Sequence, residues 1–499
     1  MNISFTTARA RVLSGATVAA LLASTSAHAL EGRALFDKLF ADAKGVSVSY
    51  ASHEDTGPAS FILRDVTFDT KDGGKTTAPE ITVENMREDG TTFSYDRAAV
   101  PELTTTTKDG AVTKMRGFEA TGAAAPAQFL VGNFENAKDG RVKLGSLVIE
   151  EFTTDVGGDG TIESSSGLLT LKDLDVPLDW RYTPEQIQAA SGEPAAPLTI
   201  DSFTLKDWTF KDPNNGTDFS VANISFSGVD VPTTFDVEPM AWAKVYDDIS
   251  IEGVSAARGG NPFLSWDTLT ATVSDAGQSV IESKSRLDNL FLDLEQAPNA
   301  DPAQIQALKD LGYAQLRVNA VGDGSYDVQS GRVAVDQVRL DIADFAELSM
   351  SYVMTGYTPE VARTVNQLSA GQQPGQPPNL GQLFGVLSQL KLEKLDVALK
   401  DDSGTRKILD YVAQQQGTTG DQVANMAPIM ISAAMRQIQA PEFTKEVSDA
   451  VATYLQNPGT LTVSVNPDQS PTFSQIAQAA LQSPKFVIDL LKVKVEATN

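Results

Sequence analysis

From Tyr50 to about Asp230 apolar and polar residues alternate with period two, and turn dipeptides break the alternation at intervals. Successive side chains leave a strand on opposite sides, so this texture predicts antiparallel strands with one buried face. Six Asp-Gly pairs punctuate the chain: Asp72-Gly73, Asp89-Gly90, Asp109-Gly110, Asp139-Gly140, Asp159-Gly160 and Asp323-Gly324. Asp-Gly tolerates the positive φ that tight hairpins require, so each pair predicts a turn. Five of the six precede residue 161, and the N-terminal third therefore reads as a meander.

One short pattern recurs within this texture, an apolar-x-apolar step, two polar residues, then another apolar residue. The copies are Phe61-x-Leu63-Arg64-Asp65-Val66, Leu147-x-Ile149-Glu150-Glu151-Phe152, Leu169-x-Leu171-Lys172-Asp173-Leu174, Phe203-x-Leu205-Lys206-Asp207-Trp208, Ile249-x-Ile251-Glu252-Gly253-Val254 and Leu390-x-Leu392-Glu393-Lys394-Leu395. The second step is odd, so a flat strand would send the last apolar side chain to the wrong face. A β-bulge at the polar pair restores the face and adds local twist and curvature. Ser60, Ser146 and Ser202 open three copies, and Thr67, Thr153 and Thr209 close them. Duplication of a strand unit and convergent strand grammar both account for that likeness. The unequal spacing of the copies excludes a strict solenoid.

Helices are predicted between strand blocks, at Thr183-Pro184-Glu185 and Asp301-Pro302, where a capping residue precedes proline at the first helical position. Residues 359–369 and 380–390 read as two more, separated by a Pro/Gln/Gly run at 371–379 that reads as a linker or exposed loop. Beyond Thr405 the pattern turns mostly helical, with Phe443, Val447, Val451, Tyr454 and Leu455 on one face. A strand at Leu461 to Val465, a short helix through Leu481 and an alternating tail at Leu491, Val493 and Val495 follow. The expected fold is α+β and β-dominated, a long curved antiparallel sheet with bulged strands, short helices between strand blocks and a mostly helical C-terminal region. The expected divisions are a signal peptide at 1–29, a β meander at 30–182, a β-rich region with inserted helices at 183–370, the 371–379 loop and a helix-rich region at 380–499.

Arg9 and Arg11, the apolar stretch Val12 to Leu22 and the Ala27-His28-Ala29 box read as a cleaved secretory leader, which places the protein in the periplasm. Without residues 1–29 the balance is 37 basic against 65 acidic side chains, or −28. Such a field opposes nucleic acid and anionic lipid headgroups alike. No later segment approaches spanning length, so no transmembrane segment is expected after cleavage. The chain has no cysteine, and at this length it can build a core without disulfides.

Familiar catalytic chemistries lack their residues. The one histidine beyond the leader, His53, sits in Tyr50-Ala-Ser-His-Glu-Asp, read as a polar loop, with no activated nucleophile signalled. One histidine and no cysteine argue against zinc. The acidic turns at 157–160 and 322–327 fit hairpins better than calcium loops. Gly74-Lys75-Thr76 lacks the glycine a phosphate loop needs, since position 69 is Asp69. Ser388-Gln-Leu-Lys391 matches Ser-x-x-Lys without its companion motifs, which leaves a solvated lysine on a strand. Val423, Met426, Met430, Met435 and Ile438 form a methionine-rich stripe read as ordinary core. No catalytic residue, cofactor or metal site is expected.

Leu311-Gly312-Tyr313-Ala-Gln-Leu316, Gly331-Arg-Val-Ala-Val-Asp-Gln-Val338, Phe345-Ala-Glu-Leu-Ser-Met-Ser and the stretch from Asp402-Ser-Gly through Tyr454 to Val495 resemble uncharacterised periplasmic proteins of proteobacteria. The Leu-Lys-Asp-Leu strand steps are more distantly similar to AsmA-like and YdgA-like envelope proteins. That resemblance implies a long curved sheet and a part in moving or sheltering phospholipid. The expectation is a non-enzymatic envelope protein holding acyl chains on the apolar strand positions Phe61, Leu63, Leu147, Ile149, Phe203, Leu205, Leu390 and Leu392. The alternatives are a structural or interaction protein with an envelope partner and no small ligand, and a carboxylate-dependent hydrolase of envelope polymers.

Overall fold

A computed structural model describes residues 32–41, 45–71, 73–130, 140–156, 162–178, 197–231, 245–275, 279–296, 302–361, 364, 385 and 388–499. The fold is β-dominated and antiparallel, with short helices gathered mostly toward the C-terminus. The chain divides into two compact units, Met1–Phe235 with Val245–Leu264 and Asp236–Lys244 with Ser265–Asn499. The leader, the 183–185 helix start, the Asp159-Gly160 turn and the 371–379 loop lie outside the described residues.

The first unit opens with helix α1 (Gly32–Ala41), followed by strands β1 (Val46–Ser49), β2 (Ser52–Gly57), β3 (Ser60–Thr70), β4 (Lys75–Glu84), β5 (Arg87–Asp89), β6 (Thr92–Thr106) and β7 (Val112–Pro126). The short helix α2 (Ala127–Leu130) precedes β8 (Arg141–Ile149), β9 (Glu151–Val156), β10 (Ile162–Ser166), β11 (Leu169–Pro177), β12 (Leu198–Asp212), β13 (Thr217–Val231) and β14 (Asp248–Arg258). Pairing runs in sequence order, β3 to β4 to β6 to β7, then through the broken strands β8/β9 and β10/β11 to β12, β13 and β14. Gly73, Gly90 and Gly110 have positive φ in three of the predicted hairpin turns.

The odd steps are bends, and they stack. Asp65, Asp173, Asp207 and Gly253, each the second polar residue of a copy, sit at φ between 47° and 61°. Phe61, Leu63, Val66 and Phe68 consequently all lie buried on one face of β3. Neighbouring strands bend at the same level, and the register is the same on both sides of each bend. Arg64 faces Glu80 and Val66 faces Ala78, which leaves Asp65 opposite Pro79. Likewise Val100 faces Phe118 and Glu102 faces Arg116, which sets Pro101 against Gly117. Proline in an inner strand normally costs a ladder hydrogen bond, but here each falls where the ladder is already interrupted. A second line of bends crosses the strands at Asn85, Gly122, Asp173 and Gly228, all with positive φ. Opposite Asn85 lies Asp96, which accepts a hydrogen bond from Asn85 Nδ2 at 2.9 Å. At these steps two consecutive residues lie on the polar side, as Arg64-Asp65 of β3 and Pro101-Glu102 of β6 show. Gly117 is required twice over, because φ is +63° and a Cβ would run into the Glu150 side chain.

The core of this unit gathers under α1. Phe36, Leu39 and Phe40 close over β3, with Phe36 edge-on to Phe61 at 5.6 Å and Phe40 tilted on Phe68 at 5.4 Å. The buried cluster continues through Ile81, Val83, Ala98, Val100, Phe118 and Ala120 and reaches Ile149. A buried hydroxyl pair, Thr76 Oγ1 and Thr105 Oγ1 at 2.9 Å, satisfies itself within that apolar face.

The chain passes to the second unit along β15 (Asn261–Asp275), followed by β16 (Val280–Asp293), α3 (Pro302–Asp310), β17 (Gln315–Asp327), β18 (Arg332–Ile342), β19 (Ala346–Thr355) and β20 (Lys391–Asp401). Next come α4 (Gly404–Gln416), α5 (Gly420–Ala434), α6 (Pro441–Gln456), β21 (Thr460–Val465), α7 (Phe473–Gln482), α8 (Pro484–Leu491) and β22 (Val493–Thr498). Here the irregularities shift the register, between Leu287 and Leu290, at Asp323/Gly324, between Val335 and Val338 and at Val353/Met354. The last leaves Glu393 unpaired, which is the bulge expected in the sixth copy. Asp323-Gly324 is not a hairpin turn: both residues lie inside β17, and Gly324 is small because a Cβ would stand 2.9 Å from the Ala334 carbonyl across the bulge. The turn comes later, at Gly331 with φ +64°. The C-terminal tail returns to the sheet as β22 on β21, and Glu446 of α6 accepts the Val495 N–H at 2.8 Å.

Candidate apolar face of the first unit

Between the two lines of bends, apolar side chains form rows that cross the strands. One row runs Phe61, Val83, Ala98, Ala120, Leu147, Leu171, Phe203, Phe226 and Ile249, each facing the next across a ladder. One step along the strands, Leu63 faces Ile81 and Val100 faces Phe118, and Ile149, Leu169, Leu205, Ile224 and Ile251 follow in unbroken succession. Six of the eight residues expected from the sequence therefore share two neighbouring rows. Those rows place them on one continuous face, although 144 positions separate Phe61 from Leu205.

Cover, not composition, divides this face. Phe61 and Leu63 are 0% exposed beneath α1, and the row members on β4, β6 and β7 are buried with them. They are sealed core, so the expectation that Phe61 and Leu63 line a free face is corrected. From β8 onward Leu147, Leu171, Phe203, Phe226, Ile249, Leu169, Leu205, Ile224 and Ile251 are only half-buried, while Ile149 at the boundary is still buried. Phe203 stacks on Phe226 with centroids 4.7 Å apart, and Trp208 meets Phe219 edge-on at 5.5 Å while its Nε1–H donates to Ser164 Oγ at 3.2 Å. Cross-strand aromatic contacts of this kind stabilise the pairing of β12 with β13. Hydrocarbon laid on such a face is stabilised by about 0.8 kcal/mol per CH₂ removed from water. Sequence reading missed Ile224 and Phe226, although the odd step from Val221 to Ile224 carries the same signal with Ala222-Asn223 in place of charged residues.

Leu390 and Leu392 belong to the second unit. Leu390 is buried at the foot of β20, and Leu392 faces Met354 across β19. The expected methionine-rich core stripe is corrected as well: α5 turns Ala424 inward and Ser432 toward Ser448 of α6 at 2.7 Å, which leaves Met426 and Met430 exposed.

The polar residues singled out in the sequence take ordinary structural places among the described residues. His53 is exposed on strand β2, not in a loop, because it pairs opposite Leu63. Ser388 Oγ donates to the Gly385 carbonyl at 2.7 Å and Lys391 is exposed. Among the described residues no group of three or more His, Cys, Asp or Glu is placed to hold a metal ion. The clearest electrostatic cluster is structural. Arg97 on the polar side bridges Glu84 at 2.9 Å and Glu119 at 2.8 Å, and its hydrogen bond holds the Glu119 carboxyl below its ordinary value. Burial in the core pushes the Tyr95 phenol well above its own.

Residues 339–498 match a family model described as an uncharacterized protein. No curated protein matches the chain. No described helix is long and apolar enough to cross a membrane.

Proposed function

We propose that the protein is a non-enzymatic periplasmic envelope protein whose first unit shelters lipid acyl chains on the apolar side of β8 to β14. The observation that carries this reading is the change of burial along two apolar rows: their members are buried from β3 to β7 and, past Ile149, half-buried from β8 to β14. The half-buried apolar rows and the stacked aromatic pair Phe203–Phe226 suit a flexible hydrocarbon chain, which needs area more than hydrogen bonds. Export rests on the basic, apolar and small-residue segments of the leader at 1–29, and the strand steps similar to AsmA-like and YdgA-like envelope proteins point to phospholipid. Native mass spectrometry of protein purified from periplasm, with lipid analysis of co-purifying material, tests it. Stoichiometric phospholipid or fatty acid is the expected result, and a clean apo mass that added fatty acid leaves unchanged would overturn it. That second result would favour a structural or interaction protein with no small ligand, a reading that draws on the exposed Leu340–Leu348 pair of the second unit.

A further inference from the structure

The second unit exposes a helix face of unusual chemistry. Met426, Ile429 and Met430 of α5 are 55%, 71% and 65% exposed and repeat at helical spacing. Gln422, Asn425, Ala433 and Ala434 are the other exposed residues of that helix beyond Asp421. More than three turns of surface thus carry no charge, and between residues 422 and 440 the only ionisable side chain is Arg436. In a chain with 65 acidic and 39 basic residues this gap is a local feature, not the average texture. The helix is capped at its N-terminus by the Thr419–Gln422 capping box and anchored from its other side by Ser432 on Ser448.

We propose that this face of α5 docks on a neutral, zwitterionic phospholipid surface. A helix with one apolar face and an opposite face held by protein can lie in the interfacial plane, and thioether side chains adapt to disordered hydrocarbon. The absence of charge matches a headgroup layer without net charge, whereas the net charge of −26 opposes an anionic one. A second copy of the chain fits less well, since three apolar side chains fall far short of the roughly 800 Å² per partner that a stable dimer buries. A membrane sets no such minimum, because each inserted side chain adds its own transfer free energy. The proposal is independent of the acyl-chain reading, since vesicle binding by α5 needs no occupied sheet.

Co-sedimentation of the full chain with phosphatidylcholine vesicles tests it, beside Ile429→Asp and the charge-matched control Gln415→Asp on the exposed side of α4. Analytical ultracentrifugation and thermal unfolding of each variant run in parallel. The expected result is binding by the wild type and the control, a loss of at least tenfold in Ile429→Asp with unchanged unfolding, and weaker binding as phosphatidylglycerol is added at low salt. Absent wild-type binding, equal binding by Ile429→Asp, or a dimer that Ile429→Asp dissociates would each overturn it; the last would assign the face to a second copy.

Discussion

The strands β3 to β7 and the strands β8 to β14 share one grammar and differ in one thing. Both carry the same two apolar rows between the same two lines of bends, yet the row members of the first stretch are buried, with Phe36 and Phe40 over β3, whereas those of the second are, past Ile149, half-buried. Strand patterning therefore specifies an apolar face, and a separate element decides whether that face becomes core or surface. The bends are common to both stretches: the non-glycine residues in the left-handed region, such as Asp65 and Asp207, are strained by themselves, but stacked bends keep neighbouring strands in register.

The largest expected effect comes from truncating one row at its two ends. Phe61→Ala should lower stability by about 3–5 kcal/mol, as for other large-to-small core changes, whereas Phe203→Ala should cost roughly half as much because water already reaches its ring. Denaturant unfolding of both variants checks this, and equal losses would erase the distinction between sealed and open stretches. Next are the bends. Gly117→Ala should cost about 1–3 kcal/mol through the left-handed backbone and the Glu150 side chain, while Asp207→Gly, which relieves a strained non-glycine residue, should be neutral or slightly stabilising. If Gly117→Ala were silent, the bends would be incidental to register.

Much of this was legible in the sequence because an odd step between apolar residues has few structural solutions. Asp65, Asp173, Asp207 and Gly253 fall in the left-handed region, Glu150 separates β8 from β9, and Glu393 is skipped in the ladder. All eight candidate residues come from copies of that pattern and six of them fall on the two rows, of which Leu147, Phe203 and Leu205 are half-buried and the others buried. What the strands do not encode is their cover, since the seal over Phe61 comes from a helix about twenty residues upstream and is a tertiary contact. Partner bends such as Pro79-Glu80 and Thr121-Gly122 were hidden too, because they use different residues for the same geometry. Gly324 misled because glycine next to aspartate has two physical uses, a turn and a close cross-strand approach.

Smaller effects sharpen the same contrast. Thr76→Val leaves the Thr105 hydroxyl buried without its partner and should cost about 1–2 kcal/mol, and the Thr76→Val/Thr105→Val double variant should lose less than the sum of the single variants. On the polar side Arg97→Met should cost less than about 1 kcal/mol, since its partners are well exposed and screened. The Glu119 carboxyl is held below its ordinary value, so the pair's contribution is present at neutral pH and lost as pH falls through that lowered value. Stability measured from pH 7 to pH 3 should therefore fall less steeply in Arg97→Met than in the wild type.

The absence of cysteine allows the central comparison to be measured directly, with single thiols at Ala98 and Leu171 on the same row. Rates of reaction with a small maleimide, under native conditions and with or without oleate, report whether each site is sealed, open or occupied. The account predicts that Ala98→Cys is protected throughout, and that Leu171→Cys reacts freely and becomes protected as oleate binds. A Leu171→Cys thiol as protected as Ala98→Cys in lipid-free protein, or one that oleate leaves reactive, would contradict it.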